Sequence, residues 1–143
     1  MPNANAIANV FKLIEENNVK FIFEASVGGG IPWLVNLERT RRVDEINRVY
    51  GIFNGTSNYI LDNMYRFENE FFTTLKTAQE LGYAEADPSA DIDGYDVTNK
   101  VIISFALAYD SFIKNEFPCF TMRNITKEDI LYFKKNGYIA KYI

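Results

Sequence analysis

Apolar residues along the chain switch between helical and strand-like spacing. Over residues 6–16, Ile7, Val10, Phe11 and Ile14 recur at helical intervals, which predicts an amphipathic helix ended by Asn17-Asn18. Residues 19–25 (VKFIFEA) form a short β-rich run and predict a buried strand. Gly28-Gly29-Gly30 must be a loop, because three consecutive glycines are costly inside any element. Pro32 suits the first turn of a helix, predicted over 31–37. Residues 43–53 (VDEINRVYGIF) read as a second strand, with Ile46 and Val49 as core contacts. Asn54-Gly55 is a turn signal, and Thr56 or Ser57 can cap the helix that follows, which carries Tyr59, Ile60, Met64 and Tyr65.

A further helix is predicted over 71–81, stopped by Gly82. Turn chemistry then dominates 82–93, and a long helix runs from Tyr95 to Tyr109. Residues 124–136 predict a helix with Thr126 as N-cap, Glu128 and Asp129 in its first turn and Gly137 at its C-terminal end. Residues 138–143 (YIAKYI) read as a last strand. The order α-β-α-β-α-α-α-α-β predicts a single α/β (α+β) domain over 1–143, a mixed β-sheet covered by helices.

Composition narrows the chemistry. The 143 residues are 48% hydrophobic and 24% charged, the balance of a soluble globular protein. A net charge of −4 offers no footprint for nucleic acid or an acidic membrane, and no apolar run is long enough to span a bilayer. The basic run Arg39 to Arg42 reads as a solvated helix end. One cysteine, Cys119, excludes an internal disulfide and suggests a reducing, cytoplasmic setting; its apolar neighbours predict a buried, inert thiol. No secretory signal pattern opens the chain. The absence of histidine excludes serine–histidine and cysteine–histidine catalysis and most zinc sites. Acid–base work must fall to Lys, Asp, Glu, Tyr or Cys.

Acids crowd one region. Glu80, Glu85, Asp87, Asp91, Asp93 and Asp96 follow one another with no lysine or arginine between Lys76 and Lys100. They repel unless a cation offsets them: salt, a metal ion or the ammonium group of a substrate. The spacing does not fit a calcium loop. Asp96 and Lys100 are four residues apart, hence on one helix face, a spacing that also suits an ordinary surface ion pair. The residues after Lys100 (VIISFALAY) are almost wholly apolar, which places this lysine where exposure gives way to burial and favours its neutral form. A lysine beside a carboxylate is a proton-transfer candidate in a chain without histidine.

Four segments, EASVGGGIP (24–32), GIFNGTSNYIL (51–61), AQELGYAEADPSADIDGYDVTNK (78–100) and NITKEDI (124–130), resemble homoserine dehydrogenase in sequence and order. The resemblance implies reversible interconversion of L-aspartate 4-semialdehyde and L-homoserine, with a hydride moving to or from NAD(P). It implies Lys100 as the catalytic proton donor and Asp96 as its substrate-holding partner. Glu85 and Asp91 match acids that bind substrate or order the site, and Tyr83, Gly55 and Thr56 match lining positions. Glu24, Val27, Gly29 and Ile31 match a loop that binds a structural sodium ion, largely through backbone carbonyls.

The same family has an N-terminal dinucleotide-binding half with a glycine-rich βα turn. The GxGxxG spacing is absent here, so NAD(P) is not expected to bind this chain alone, and the residues that choose NAD or NADP are not in it. The start, Met1 to Ala6, resembles the end of that half, but Ala4 or Asn5 stands where the family reads lysine after Pro-Asn. Two readings follow. One is a catalytic domain that needs a nucleotide-binding domain in trans and is inactive alone. The other is a non-catalytic dimerisation or amino-acid-binding module. A homodimer is expected in either case, since strand edges and rings such as Trp33 need cover.

Overall fold

All the regular elements among the described residues are helical. The computed structural model describes residues 4–113 and 118–143. It contains α1 (Ala4–Asn17), a single 3-10 turn (Glu24–Ser26), α2 (Trp33–Arg41), α3 (Gly55–Phe67), α4 (Phe71–Glu80), the short α5 (Ser89–Ile92), α6 (Tyr95–Tyr109) and α7 (Lys127–Lys135). Among the described residues there is no strand. The predicted α/β (α+β) architecture, a mixed β-sheet covered by helices, is therefore corrected to an all-helical one. Residues 19–25, 43–53 and 138–143 have strand-like composition, but a strand needs a partner backbone, and no ladder forms between them. Their outer side chains stay exposed: Val43 is 85% exposed, Ile22 77% and Tyr50 73%.

The chain divides into two compact units. The first comprises Met1–Phe53 and Thr98–Pro118, apart from the undescribed positions. Its core joins Val27, Leu34, Leu37 and Ala108, with Phe23, Trp33, Ile46, Val49, Phe53, Ile103 and Leu107 packed around them. Ile46 and Val49 thus reach a core as the pattern predicted, without a sheet to carry them. The Trp33 indole donates to Ser104 Oγ at 2.9 Å and meets Phe53 edge-on. Asn18, left-handed at φ 49°, ends α1 where the Asn-Asn pair predicted a stop. Arg41 pairs with Asp110 at 3.0 Å and Arg42 with Glu38 at 3.4 Å, so the basic run is a helix end, as expected.

The second unit comprises Asn54–Val97 and Cys119–Ile143. Here α3 is the hub, with α4, α5 and α7 packed on it. Ile60, Leu61 and Met64 of α3 face Phe71, Leu75 and Ala78 of α4, and Ala84, Ile92, Met122 and Ile130 complete the cluster. That spacing is the apolar stripe of an amphipathic helix. Ile60, Met64, Ile92 and Ile130 are fully buried, which stabilises the fold by about 1.5–3 kcal/mol for each side chain. Thr126 caps α7 as predicted, in a reciprocal box with Asp129; the C-cap is Asn136 rather than Gly137, which follows it at φ 76°.

Candidate functional site

The site grows from the start of α3. Its N-cap is Asn54, not Thr56 or Ser57: Asn54 has extended backbone and its Oδ1 accepts the Ser57 N–H at 2.7 Å. The Ser57 hydroxyl returns a bond to the Asn54 carbonyl at 3.1 Å. With Oδ1 committed, the other half of the amide has one direction left. Asn54 Nδ2 donates to Asp91 Oδ1 at 2.6 Å and to Asp96 Oδ2 at 2.9 Å. Asn54 is 4% exposed, and both acids are half-buried. One neutral amide therefore gathers two predicted site acids, one within α5 and one in the first turn of α6. In the sequence, Asn54 reads only as a turn residue. Its place just before the α3 pattern was the available signal for a cap, but nothing local announced its second role.

Neighbouring site positions are fixed by the same unit. The Thr56 hydroxyl donates to the Tyr83 carbonyl at 2.6 Å, and the Tyr83 ring lies against Tyr59 with centroids 4.7 Å apart. Gly55 is exposed at the first position of α3. Gln79 Nε2 donates to the Glu85 carbonyl at 2.9 Å and the Ala86 carbonyl at 3.2 Å. The backbone around Glu85 is thereby anchored while its side chain is exposed.

The remaining acids of the loop have structural work. Asp93 receives two bonds from the Arg123 guanidinium, each 2.7 Å, and one from the Thr121 hydroxyl at 2.8 Å. The Arg123 hydrogen bonds hold the Asp93 carboxyl below its ordinary value, against a smaller opposing effect of burial. Asp87 accepts from the Ser89 hydroxyl at 2.6 Å and the Ser89 N–H at 3.1 Å, which lower it likewise. A cation from a distant part of the sequence thus answers one of the loop's charges.

Beside Asp93, Gly94 turns at φ 82° into a corner where Cys119 and Tyr142 meet. Cys119 is exposed, its Sγ 3.3 Å from the Asp93 carbonyl. This corrects the prediction of a buried thiol: the apolar neighbours Phe120 and Pro118 do not enclose it, and Phe120 is itself exposed. The Tyr142 hydroxyl donates to the Phe120 carbonyl, and partial burial, with Cys119 alongside, pushes that phenol up to about 12.

In the first unit, Lys100 lies on α6, half-buried, and its ammonium donates to the Phe53 carbonyl at 2.9 Å. Burial is intermediate there, as the polar-to-apolar boundary implied. The 24–32 loop has its own organisation. Both carboxylate oxygens of Glu24 accept helix amides, Leu34 N–H at 3.0 Å and Val35 N–H at 2.8 Å. Pro32 at the N-cap has no side-chain acceptor, so Glu24 caps α2 from ten residues away. Between them Gly28 and Gly29 take φ 84° and 59°, the left-handed conformations that favour glycine. Val27 is fully buried and Ile31 exposed. The Glu24 carboxylate is thus engaged by α2, and its carbonyl accepts the Val27 N–H at 3.4 Å. No group of three or more His, Cys, Asp or Glu side chains is placed to hold a metal ion among the described residues.

The described chain is helical and holds two acids of one segment on a single buried amide. Comparison with known proteins specifies the lineage. The homoserine dehydrogenase family model matches residues 32–143, and the chain belongs to that family of oxidoreductases. It is 41% identical over 130 residues to the homoserine dehydrogenase of Bacillus subtilis, covering 90% of this chain and 30% of that protein. The crystal structure of a homoserine dehydrogenase from Thiobacillus denitrificans superposes with a TM-score of 0.88 at 38% identity, covering 96% of this chain and 32% of that one. A hyperthermophilic archaeal homoserine dehydrogenase, solved in complex with NADPH, gives a TM-score of 0.78 at 29% identity over 87% of this chain and 38% of that one. The chain thus spans about a third of the length of the relatives it matches. No helix among the described residues is long and apolar enough to cross a membrane.

Proposed function

We propose that these residues form the substrate-handling part of a homoserine dehydrogenase, which interconverts L-aspartate 4-semialdehyde and L-homoserine within threonine, methionine and isoleucine biosynthesis. The observation that carries this reading is the Asp91–Asp96 pair held by Asn54. The Asn54 amide holds the two carboxylates together, and a pair of acids suits the ammonium group of an amino-acid substrate. Asp96 holds the substrate, Asp91 engages it or orders the site, and Glu85 supplies a further acid from its anchored loop. Gly55, Thr56 and Tyr83 line the site, and the Thr56–Tyr83 bond keeps two of its walls together.

Lys100 is the catalytic residue of the proposal. The aldehyde carbonyl gains negative charge on oxygen as it is reduced at carbon, and the Lys100 ammonium delivers the proton that completes the alcohol. Oxidation of homoserine reverses the transfer, the neutral amine taking the hydroxyl proton. Nicotinamide, when bound, supplies or accepts the hydride. The sequence carries no GxGxxG turn, so turnover with NAD(P) is proposed to require a nucleotide-binding domain, and the chain alone is proposed to be inactive.

A structural sodium ion is proposed at the carbonyls of Glu24, Val27, Gly29 and Ile31. A hard monovalent cation takes oxygen donors, and open space lies beside Gly29 and Gly30 in this loop. A homodimer in the cytoplasm completes the proposal.

Titration calorimetry with L-homoserine in sodium buffer tests it. The expected result is saturable binding that Asp96→Asn weakens at least about tenfold. A folded chain that binds no homoserine overturns the assignment of a preformed substrate site.

A further inference from the structure

We infer that Asn54 is a positioning residue whose side-chain amide couples the start of α3 to the two acids of the substrate site. This rests on the substrate-site reading above but adds a residue to it. An asparagine amide has one acceptor end and one donor end. The Ser57 backbone N–H needs an acceptor, which fixes Oδ1 toward the helix. A flipped amide would place an N–H against that N–H, and an oxygen against two carboxylates. The cap therefore sets the donor's direction, and the donor ties Asp91 and Asp96 to the start of α3.

The same dependence explains why asparagine suits this cap better than the other good N-cap residues. Serine and aspartate both accept from Ser57 N–H equally well in principle. Serine has no second donor long enough to span both acids. Aspartate would put a third negative charge against them. Only the amide caps the helix and donates to carboxylates in one rigid group. Asn54 is buried, so neither bond is readily replaced by water.

Asn54→Ser separates the two roles, since it keeps a cap and removes the donor. The full chain is expected to melt close to the wild-type temperature while binding L-homoserine about tenfold more weakly. Asn54→Ala should lose both stability and affinity. An Asn54→Ser chain with unchanged affinity, in a wild-type background that binds homoserine, overturns the inference. A second readout needs no ligand: the Asn54 side-chain NH2 resonances. Asp91→Asn and Asp96→Asn are each expected to shift them. Resonances that respond to neither substitution overturn the inference whatever homoserine does. If they respond but wild type binds no homoserine, the clamp stands and the substrate assignment falls.

Discussion

Asp93 and Asp96 stand three residues apart in one acidic segment, yet they meet different kinds of donor. Asp93 is met by a bidentate guanidinium and a hydroxyl, so its charge is cancelled by Arg123 within the fold. Asp96, with Asp91, accepts from the amide of Asn54, a neutral donor. The first arrangement builds a corner; the second gathers two acids on one buried amide. Acid density in a sequence does not distinguish these roles. The partner of each acid does.

The largest expected break in this contrast comes from Gly94→Ala. At φ 82° an alanine is strained by about 1–3 kcal/mol. Its Cβ would also collide with the Tyr142 hydroxyl and lie 2.6 Å from Cys119 Sγ. Thermal melting should show a strong loss of stability, and homoserine affinity should fall with it, because Gly94 lies between the corner and the first turn of α6. Unchanged melting would mean the corner yields freely.

Next in size is a paired exchange. Asp96→Asn should cost homoserine affinity and little stability, whereas Asp93→Asn should lower the melting temperature and leave affinity nearly intact. Calorimetry and melting curves on both variants check this. Similar profiles for the two would erase the distinction between the acids.

A smaller effect should appear with acid. The folded-state value of Asp93 is depressed, so its stabilisation is complete above the unfolded carboxyl range and is lost as pH falls through the folded value. The gap in melting temperature between wild type and Asp93→Asn should therefore be full at neutral pH and close at strongly acidic pH. A gap constant down to the lowest pH would mean that the charge on Asp93 is not what stabilises the corner.

The smallest effect lies at the alkaline end. The Tyr142 phenol is raised from its ordinary value of 10.0 to about 12, so the folded state holds this proton more tightly than the unfolded chain. Its stabilisation is complete below about pH 10 and declines as pH rises toward 12. Tyr142→Phe should lose that part of the alkaline decline in melting temperature.

Much of the helical framework was legible because it is local. The apolar run after Lys100 and the turn chemistry before it bound α6 at Tyr95 and Tyr109, where the structure has it. Thr126 announced α7 because a capping box lies within four consecutive residues. The predicted sheet failed for the opposite reason. Pattern shows that 43–53 can present Ile46 and Val49 to a core, but a ladder is a non-local pairing that no single segment declares. The same limit hid the site's organisation. Asn54 lies 37 residues from Asp91 and 42 from Asp96, so its cap was readable in principle and its clamp was not. The four resembling segments supplied the list of site residues; only the folded chain separates Asp93, which they also contain, from Asp91 and Asp96.

The Glu24 cap has a further consequence for the order of events in the first unit. Amides at the start of a helix normally find their acceptor next door, and so are protected as soon as the helix forms. Leu34 and Val35 must wait for the triple-glycine loop to close. Closing that loop has an entropic cost, so each transient reopening releases both amides together. Their hydrogen exchange should track each other and respond jointly to Gly29→Ala, making the pair a built-in clock for the opening of the 24–32 loop.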